Sequence, residues 1–483
     1  MIDWHHQQNL LQEGTPAQKL LAGLGRAEGF HDLEHVGAFG MPSGAVLEDM
    51  LAPEAVATAA TRFGPLEKVH AFWFAGMSCD GCSVAATGAT NPSVESMMLG
   101  AHPGIPRVIL HHPVINMESG AHYMRAAEQA MEGTLNAPYV VILEGSIADE
   151  LLAFEQGGYW SAAGEEPWGR NGQLRPVSTT EWVARLAPNA AAMIAVGTCA
   201  TWGGIPSAAG NPTGAMSMMD FLGKDFRSVL GVPVVNIPGC PPIGDNFTET
   251  VAAVLYFLQG FGPLPEFDEL GRPAWLFGET VHRRCVRGAY YEEGTFAEEF
   301  GDPECLVEIG CWGPVVNCNI TSRGAVKGIG GCMNAGAACI GCTMPGFPDK
   351  FTPFYKRPPG SLASSTVSRM TGSLIRPLRK FSNNNLNREV RWDEMGETSS
   401  GFGREKSGPG VVADVTHHFY DKMRRFNDNS THKGDAWGKV ADDGTDGRHP
   451  EGTGGGKPRS RAATVGTSDE NGSSKRKGSR AKV

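Results

Sequence analysis

Lys68-Val69-His70-Ala71-Phe72-Trp73-Phe74-Ala75-Gly76-Met77-Ser78-Cys79-Asp80-Gly81-Cys82 decides how this chain is read. The apolar run Lys68–Phe74 predicts a strand, and it leads straight into a CxxC turn. The same phrase recurs. Short apolar runs lie at Arg107–His111, Tyr139–Glu144, Ala192–Gly197 and Val234–Ile237, with helix-like stretches at Met117–Met131, Thr180–Leu186 and Asn246–Leu258 between them. Strand-then-helix repetition predicts an α/β fold with a doubly wound parallel sheet. The third run ends in Glu144-Gly145-Ser146, the fourth in Gly197-Thr198-Cys199, the fifth in Pro238-Gly239-Cys240. Open α/β sheets bind ligands beyond the carboxyl ends of their strands, so Cys79, Cys82, Cys199 and Cys240 are expected to converge. Gly76, Gly81, Gly197 and Gly239 would let the backbone pass close to a bulky group there.

The bulk numbers bound the rest. A chain of 483 residues with 41% apolar content can bury two or three cores. A formal net charge of −10 argues against nucleic acid, and 64 glycines with 32 prolines point to a loop-rich fold. No run of 18 apolar residues occurs, so no transmembrane segment is expected. Met1–Gly14 has neither an arginine pair nor an apolar core, so it does not read as a signal peptide. The expected compartment is the cytoplasm, with peripheral membrane attachment through a partner as the other arrangement. There thiols stay reduced, and an odd cysteine count with CxxC spacing points to metal rather than disulfides.

Four regions follow. Residues 1–66 read as an N-terminal extension with helical pieces at Pro16–Arg26 and Pro53–Arg62. Residues 67–265 carry the alternating pattern. In residues 266–355 periodicity fades while cysteine density peaks; little apolar matter is evident, and a metal centre would replace missing core. Residues 356–483 form a C-terminal extension, basic over 356–391 as a solvated face or a surface for another subunit, and disordered-looking from about 427.

All eleven cysteines lie between Cys79 and Cys342, and His282 makes twelve soft ligands, three sets of four. Cys79, Cys82, Cys199 and Cys240 form the first. Its rival is a structural zinc site, which more often uses compact knuckles than strand ends. Asp80, inside the CxxC, reads either as a turn residue bonding its own backbone or as an oxygen ligand displacing Cys79 or Cys82. The second set is His282, Cys285, Cys305 and Cys311. A neutral imidazole in place of a thiolate raises a cluster's potential, and Arg283 and Arg284 suggest an exposed electron port. The third is Cys318, Cys332, Cys339 and Cys342. Four thiolates permit a [4Fe–4S] cube, three a [3Fe–4S] centre; the rival for Cys332 is a small buried apolar residue. There is no P-loop. Glu144, at a strand end, could relay protons or bond backbone amides, the latter being the default.

These residues, with Gly197-Thr198-Cys199-Ala200-Thr201-Trp202-Gly203-Gly204, Asn211-Pro212-Thr213-Gly214-Ala215, Pro238-Gly239-Cys240-Pro241-Pro242 and Thr352-Pro353-Phe354-Tyr355, resemble the small subunit of [NiFe]-hydrogenases over residues 67–355. The resemblance implies a flavodoxin-like domain holding a proximal cluster, then a loop-rich domain with medial and distal clusters. It also implies an obligate large subunit holding the nickel–iron centre, assembly as a dimer of heterodimers or higher, and no catalytic residue on this chain beyond a proton-path role for Glu144. The proximal ligands would be Cys79, Cys82, Cys199 and Cys240. The distal ligands would be His282, Cys285, Cys305 and Cys311. The medial ligands would be Cys318, Cys339 and Cys342.

Departures sharpen the likeness. Cys332 stands where many members have proline, which implies a medial [4Fe–4S] cluster and three cubes in all. Gly81 and Gly204 stand where membrane-bound oxygen-tolerant members carry two extra cysteines. Asp80 replaces the usual threonine, Ser78 a common glutamate, and the usual twin-arginine leader is absent. Together these resemble the actinobacterial-type high-affinity uptake hydrogenases, in which an aspartate ligand at the proximal cluster and activity in air are part of the pattern. The implied role is electron transfer from dihydrogen to an acceptor. A regulatory dihydrogen sensor on the same scaffold and a zinc-stapled structural protein are the alternatives.

Overall fold

The strands are β1 (Lys68–Ala75), β2 (Arg107–His111), β3 (Tyr139–Glu144), β4 (Ala162–Trp168), β5 (Gln173–Ser178), β6 (Ala192–Val196) and β7 (Val235–Ile237) in a computed structural model describing residues 10–27, 66–155, 158–168, 172–358 and 365–373. Five of them form one sheet in the order β2-β1-β3-β6-β7, every neighbouring pair parallel. With the β4–β5 hairpin set aside this is the flavodoxin-like order, whose switch point lies between β1 and β3. The register puts Ala75 opposite Glu144, so the CxxC loop leaves β1 level with the Glu144 carboxylate.

Alternate strand residues face opposite sides. Phe72, Phe74, Val141, Leu143 and Met193 pack on one face; Val69, Ala71, Trp73, Ile142 and Ile194 pack on the other against Phe247, Val251 and Leu255 of helix Gly244–Leu258. β3 is buried along its whole length, as expected of a parallel strand covered on both faces. The expected runs survive with small changes. The fourth strand stops at Val196 because Gly197, at φ +86°, starts helix Gly197–Trp202. The second expected helix starts at Thr179, where the Ser178 hydroxyl accepts the Glu181 amide at 3.0 Å.

Other findings go beyond the sequence reading, which expected the first helix but not where it packs. Helix Pro16–Ala27 sends Leu20, Leu21 and Leu24, with Leu11 before it, into the same core as Phe72 and Leu143. The β4–β5 hairpin stands apart from the main sheet. Residues 281–351 build an apolar core of their own around Tyr291, Phe296, Val307, Val316, Met333 and Phe351, correcting the expectation of little apolar matter there. That core is assembled from single turns, so no periodicity announced it. Past Tyr355, residues 365–373 form a helix on this module. The Ser368 hydroxyl donates to the Tyr291 carbonyl, Arg369 lies over the Phe296 ring at 5.4 Å, and it pairs with Glu308 at 2.6 Å. The expected helix at Pro53–Arg62 and the tail from 427 fall outside the described residues. Among the described residues no helix is long and apolar enough to cross a membrane.

Candidate metal centre

Cys79 is exposed at the end of β1, and Asp80 follows in the left-handed region at φ 60° and ψ 7°, a conformation Asp tolerates better than most residues. Asp80 is the N-cap of helix Gly81–Thr87, yet its side chain makes no capping bond, so the turn-residue reading loses its hydrogen bond. Cys82 sits in the first turn of that helix, and its amide donates to Glu144 Oε1 at 2.9 Å. Glu144, 1% exposed, also accepts from Trp73 Nε1 at 3.1 Å and from the Ser83 hydroxyl. Ser83 Oγ lies 2.8 Å from His112 Nε2, whose Nδ1 accepts the Val114 amide at 3.1 Å. Burial lowers the His112 pKa, so the ring is neutral, with its proton on Nε2. Glu144 thus bonds a backbone amide beside the cysteines, the default role expected of it.

Cys199 lies on helix Gly197–Trp202 and Cys240 just before helix Gly244–Leu258. Their loops are locked together: the Thr198 amide donates to the Gly239 carbonyl at 2.9 Å, and the Gly239 amide to Thr198 Oγ1 at 3.0 Å. The four thiols share one space. Burial pushes the Cys82 thiol well up, and the charges of Glu144, Cys199, Cys79 and Cys240 add to that. Cys199 is pushed up to about 12 by burial and then by Cys240. Two glycines keep the space clear. A Cβ on Gly197 would overlap the Cys82 sulfur, and one on Gly204 would lie 2.8 Å from the Cys199 sulfur.

The third set adjoins the first. The Thr198 hydroxyl donates to the Cys342 carbonyl, and Trp202 Nε1 donates to Thr343 O at 3.2 Å. Burial pushes the Cys342 and Cys339 thiols up, with Cys318 and Cys332 adding to it at Cys342, and Cys311, then Cys342 and Cys332, at Cys339. Cys332 is exposed, in a loop containing Gly328, Gly330 and Gly331, rather than a small buried apolar residue. Arg272 faces Cys318 but is paired with Asp268 at 2.8 Å.

The second set adjoins the third: the Cys339 amide donates to Cys311 Sγ at 3.3 Å. His282, Cys285, Cys305 and Cys311 all line one small cavity, about 10 Å³, together with Arg287 and Met333. Here the structure corrects the expected exposure. His282 is only 5% exposed, its ring edge-on to Tyr291 at 4.5 Å, although Arg283 and Arg284 reach solvent and pair with Glu279. Residues Val281–Arg284 form a 3₁₀ turn, and its three-residue period puts His282 and Cys285 on the same side and the arginines outside.

All eleven cysteines are free. Among the described residues no three His, Cys, Asp or Glu side chains close on a point that one ion could occupy. Soft donors, glycine-cleared room and buried thiols that need a nearby cationic group to ionise all suit iron–sulfur cubes. The sequence reading missed the buried cations Arg272 and Arg287 and the Ser83–His112 link. Arg287 could have been noticed only by asking what charge lies two residues beyond a ligand.

Residues 79–254 match the family model "NADH ubiquinone oxidoreductase, 20 Kd subunit", and residues 277–355 match the model of the C-terminal part of the NiFe/NiFeSe hydrogenase small subunit. The chain is 35% identical to the periplasmic [NiFeSe] hydrogenase small subunit of Desulfomicrobium baculatum, over 60% of this chain and 87% of that one. It is 31% identical to the hydrogenase-2 small chain of Escherichia coli K12, over 61% and 72% respectively. Among solved structures, the actinobacterial-type NiFe-hydrogenase from Ralstonia eutropha H16 superposes with a TM-score of 0.63 at 47% identity, covering 70% of this chain and 96% of that chain. Fold order, cysteine placement and these likenesses agree: the chain belongs to the small subunits of [NiFe] hydrogenases, the electron-transfer part of a dihydrogen oxidoreductase whose active site lies on the large subunit.

Proposed function

We propose that this chain, joined to a large subunit in the cytoplasm, takes electrons from dihydrogen oxidation to an acceptor through three [4Fe–4S] clusters. The proximal cluster belongs to Cys79, Cys82, Cys199 and Cys240 with Asp80 as an oxygen ligand, the medial to Cys318, Cys332, Cys339 and Cys342, and the distal to His282, Cys285, Cys305 and Cys311. One observation carries the reading. The three sets are joined end to end, the Thr198 hydroxyl beside Cys199 bonding the Cys342 carbonyl and the Cys339 amide bonding Cys311 Sγ, so they form a line and not three separate staples. When bound, such clusters accept and release single electrons. The chain's own part is to hold the sets in line, to keep water from the distal thiols, and to place Asp80, uncapped and exposed, beside Cys79. Val84, Val114, Ile115 and Met117 expose apolar side chains beside Ser83 and His112, and support docking of the large subunit over the proximal end. The actinobacterial-type neighbour supports extending the proposal to turnover in air.

The test is metal content of the purified heterodimeric complex. The small subunit should contribute about twelve irons, four per cube. Zinc in their place, or iron near four, defeats the reading. Asp80→Ala should keep the irons while moving the proximal cluster's EPR signal; a signal identical to that of the native complex returns Asp80 to a local backbone role.

A further inference from the structure

Arg287 is 2% exposed and lines the cavity of His282, Cys285, Cys305 and Cys311. Among the described residues lining that cavity, it is the only side chain with a full charge. Its guanidinium is held by backbone carbonyls: Met333 O at 3.1 Å, Glu304 O at 2.8 Å, and Asp302 O. Carbonyls fix a cation without cancelling it. The nearby Asp302 carboxylate is half-buried and occupied with the Glu298 and Glu299 amides, at 3.0 Å each.

The other two sites lack this arrangement. At the medial site Arg272 is neutralised by Asp268, and at the proximal site the buried group facing the thiols is the carboxylate of Glu144. The exposed Arg283 and Arg284 share Glu279 and act weakly through water. Charge therefore changes sign along the line, negative at the proximal end and positive at the distal end. A buried cation favours the reduced, more negative state of a neighbouring cluster, and a low-dielectric wall strengthens that preference.

We infer that Arg287 is a charge-tuning residue of the distal centre, holding its midpoint potential above those of the other two so that electrons run outward. The inference rests on the proposed ligation of the distal set and goes beyond it, because the ligands alone would not need the cation.

The experiment is an EPR-monitored redox titration of the purified heterodimer with Arg287→Met and Arg287→Lys. In Arg287→Met the distal centre's oxidised-to-reduced ratio at a fixed potential should rise tenfold or more, a downward shift of at least about 59 mV for one electron. Arg287→Lys should stay near the native potential, and the proximal signal should stay put in both. Loss of the distal signal from Arg287→Met alone, with the lysine variant native-like, also supports a requirement for charge. An unshifted distal potential in Arg287→Met with full iron overturns the inference, as do equal shifts in both variants or loss of the distal signal from both. The last two outcomes assign Arg287 to holding carbonyls. Absence of distal iron from the native complex sinks the proposed function itself and is recognised before any variant is made.

Discussion

Gly197→Ala should empty the proximal site and stop electron delivery from dihydrogen, while the medial and distal sets keep their irons. Gly197 sits at φ +86°, where an L residue costs about 1–2 kcal/mol. The larger effect is steric: the new methyl group would occupy the space of the Cys82 sulfur. That sulfur cannot easily retreat, because the Cys82 amide is tied to Glu144 and its helix packs on Gly244–Leu258, where a Cβ on Gly244 would strike the Ala85 carbonyl. On the other side the Gly239 carbonyl bonds the Thr198 amide. Iron should fall from about twelve to about eight per chain, one cube lost. The dihydrogen-driven reduction of dyes should fall to background. A variant with full iron and a native proximal EPR signal would show that the site has slack the contacts do not suggest.

Glu181→Leu should be the most destabilising single change in the flavodoxin-like domain that leaves every ligand in place. Glu181 is 1% exposed and accepts from Arg175 at 2.6 and 2.7 Å and from Arg185. Glu166 takes the other side of both arginines, at 2.8 Å from Arg185. Two cations and two anions balance in a buried square that ties the β4–β5 hairpin to helix Thr179–Leu186. Removing one carboxylate leaves two buried guanidinium groups with a single counter-charge, a loss of about 3–5 kcal/mol. For a domain of this size that lowers the melting temperature by about 10 °C. The companion Arg185→Leu in the same chain should restore part of the loss, since Arg175 and Glu166 then remain as a matched pair. Calorimetric or circular dichroism melts of both variants decide it; a single variant that melts with the native protein would mean water reaches the square.

The sheet was legible because each parallel strand is a short apolar run bounded by turn residues, and the cysteines were legible because they stand where such runs end. The β4–β5 hairpin was not, since Gly164, Glu165, Glu166 and Pro167 break the apolar pattern of the strand they belong to. The core around Tyr291 and Phe296 escaped for a related reason: its members come from single turns far apart in the chain. Arg283 and Arg284 misled on the exposure of His282, because neighbours in a 3₁₀ turn point in different directions. Asp80 and Glu144 were noticed but left with two readings each. For Glu144 what separates the readings is spatial, the register that sets its carboxylate beside the Cys82 amide.

The family-model match stops at residue 355, but the wall behind His282 does not. Tyr291, whose ring edge meets the imidazole, has its carbonyl bonded by Ser368, and Gly294 and Gly372 bring the two backbones so close that neither position could carry a side chain. A truncation made at residue 355 would strip away the helix whose Ser368 and Gly372 close over the backbone behind His282.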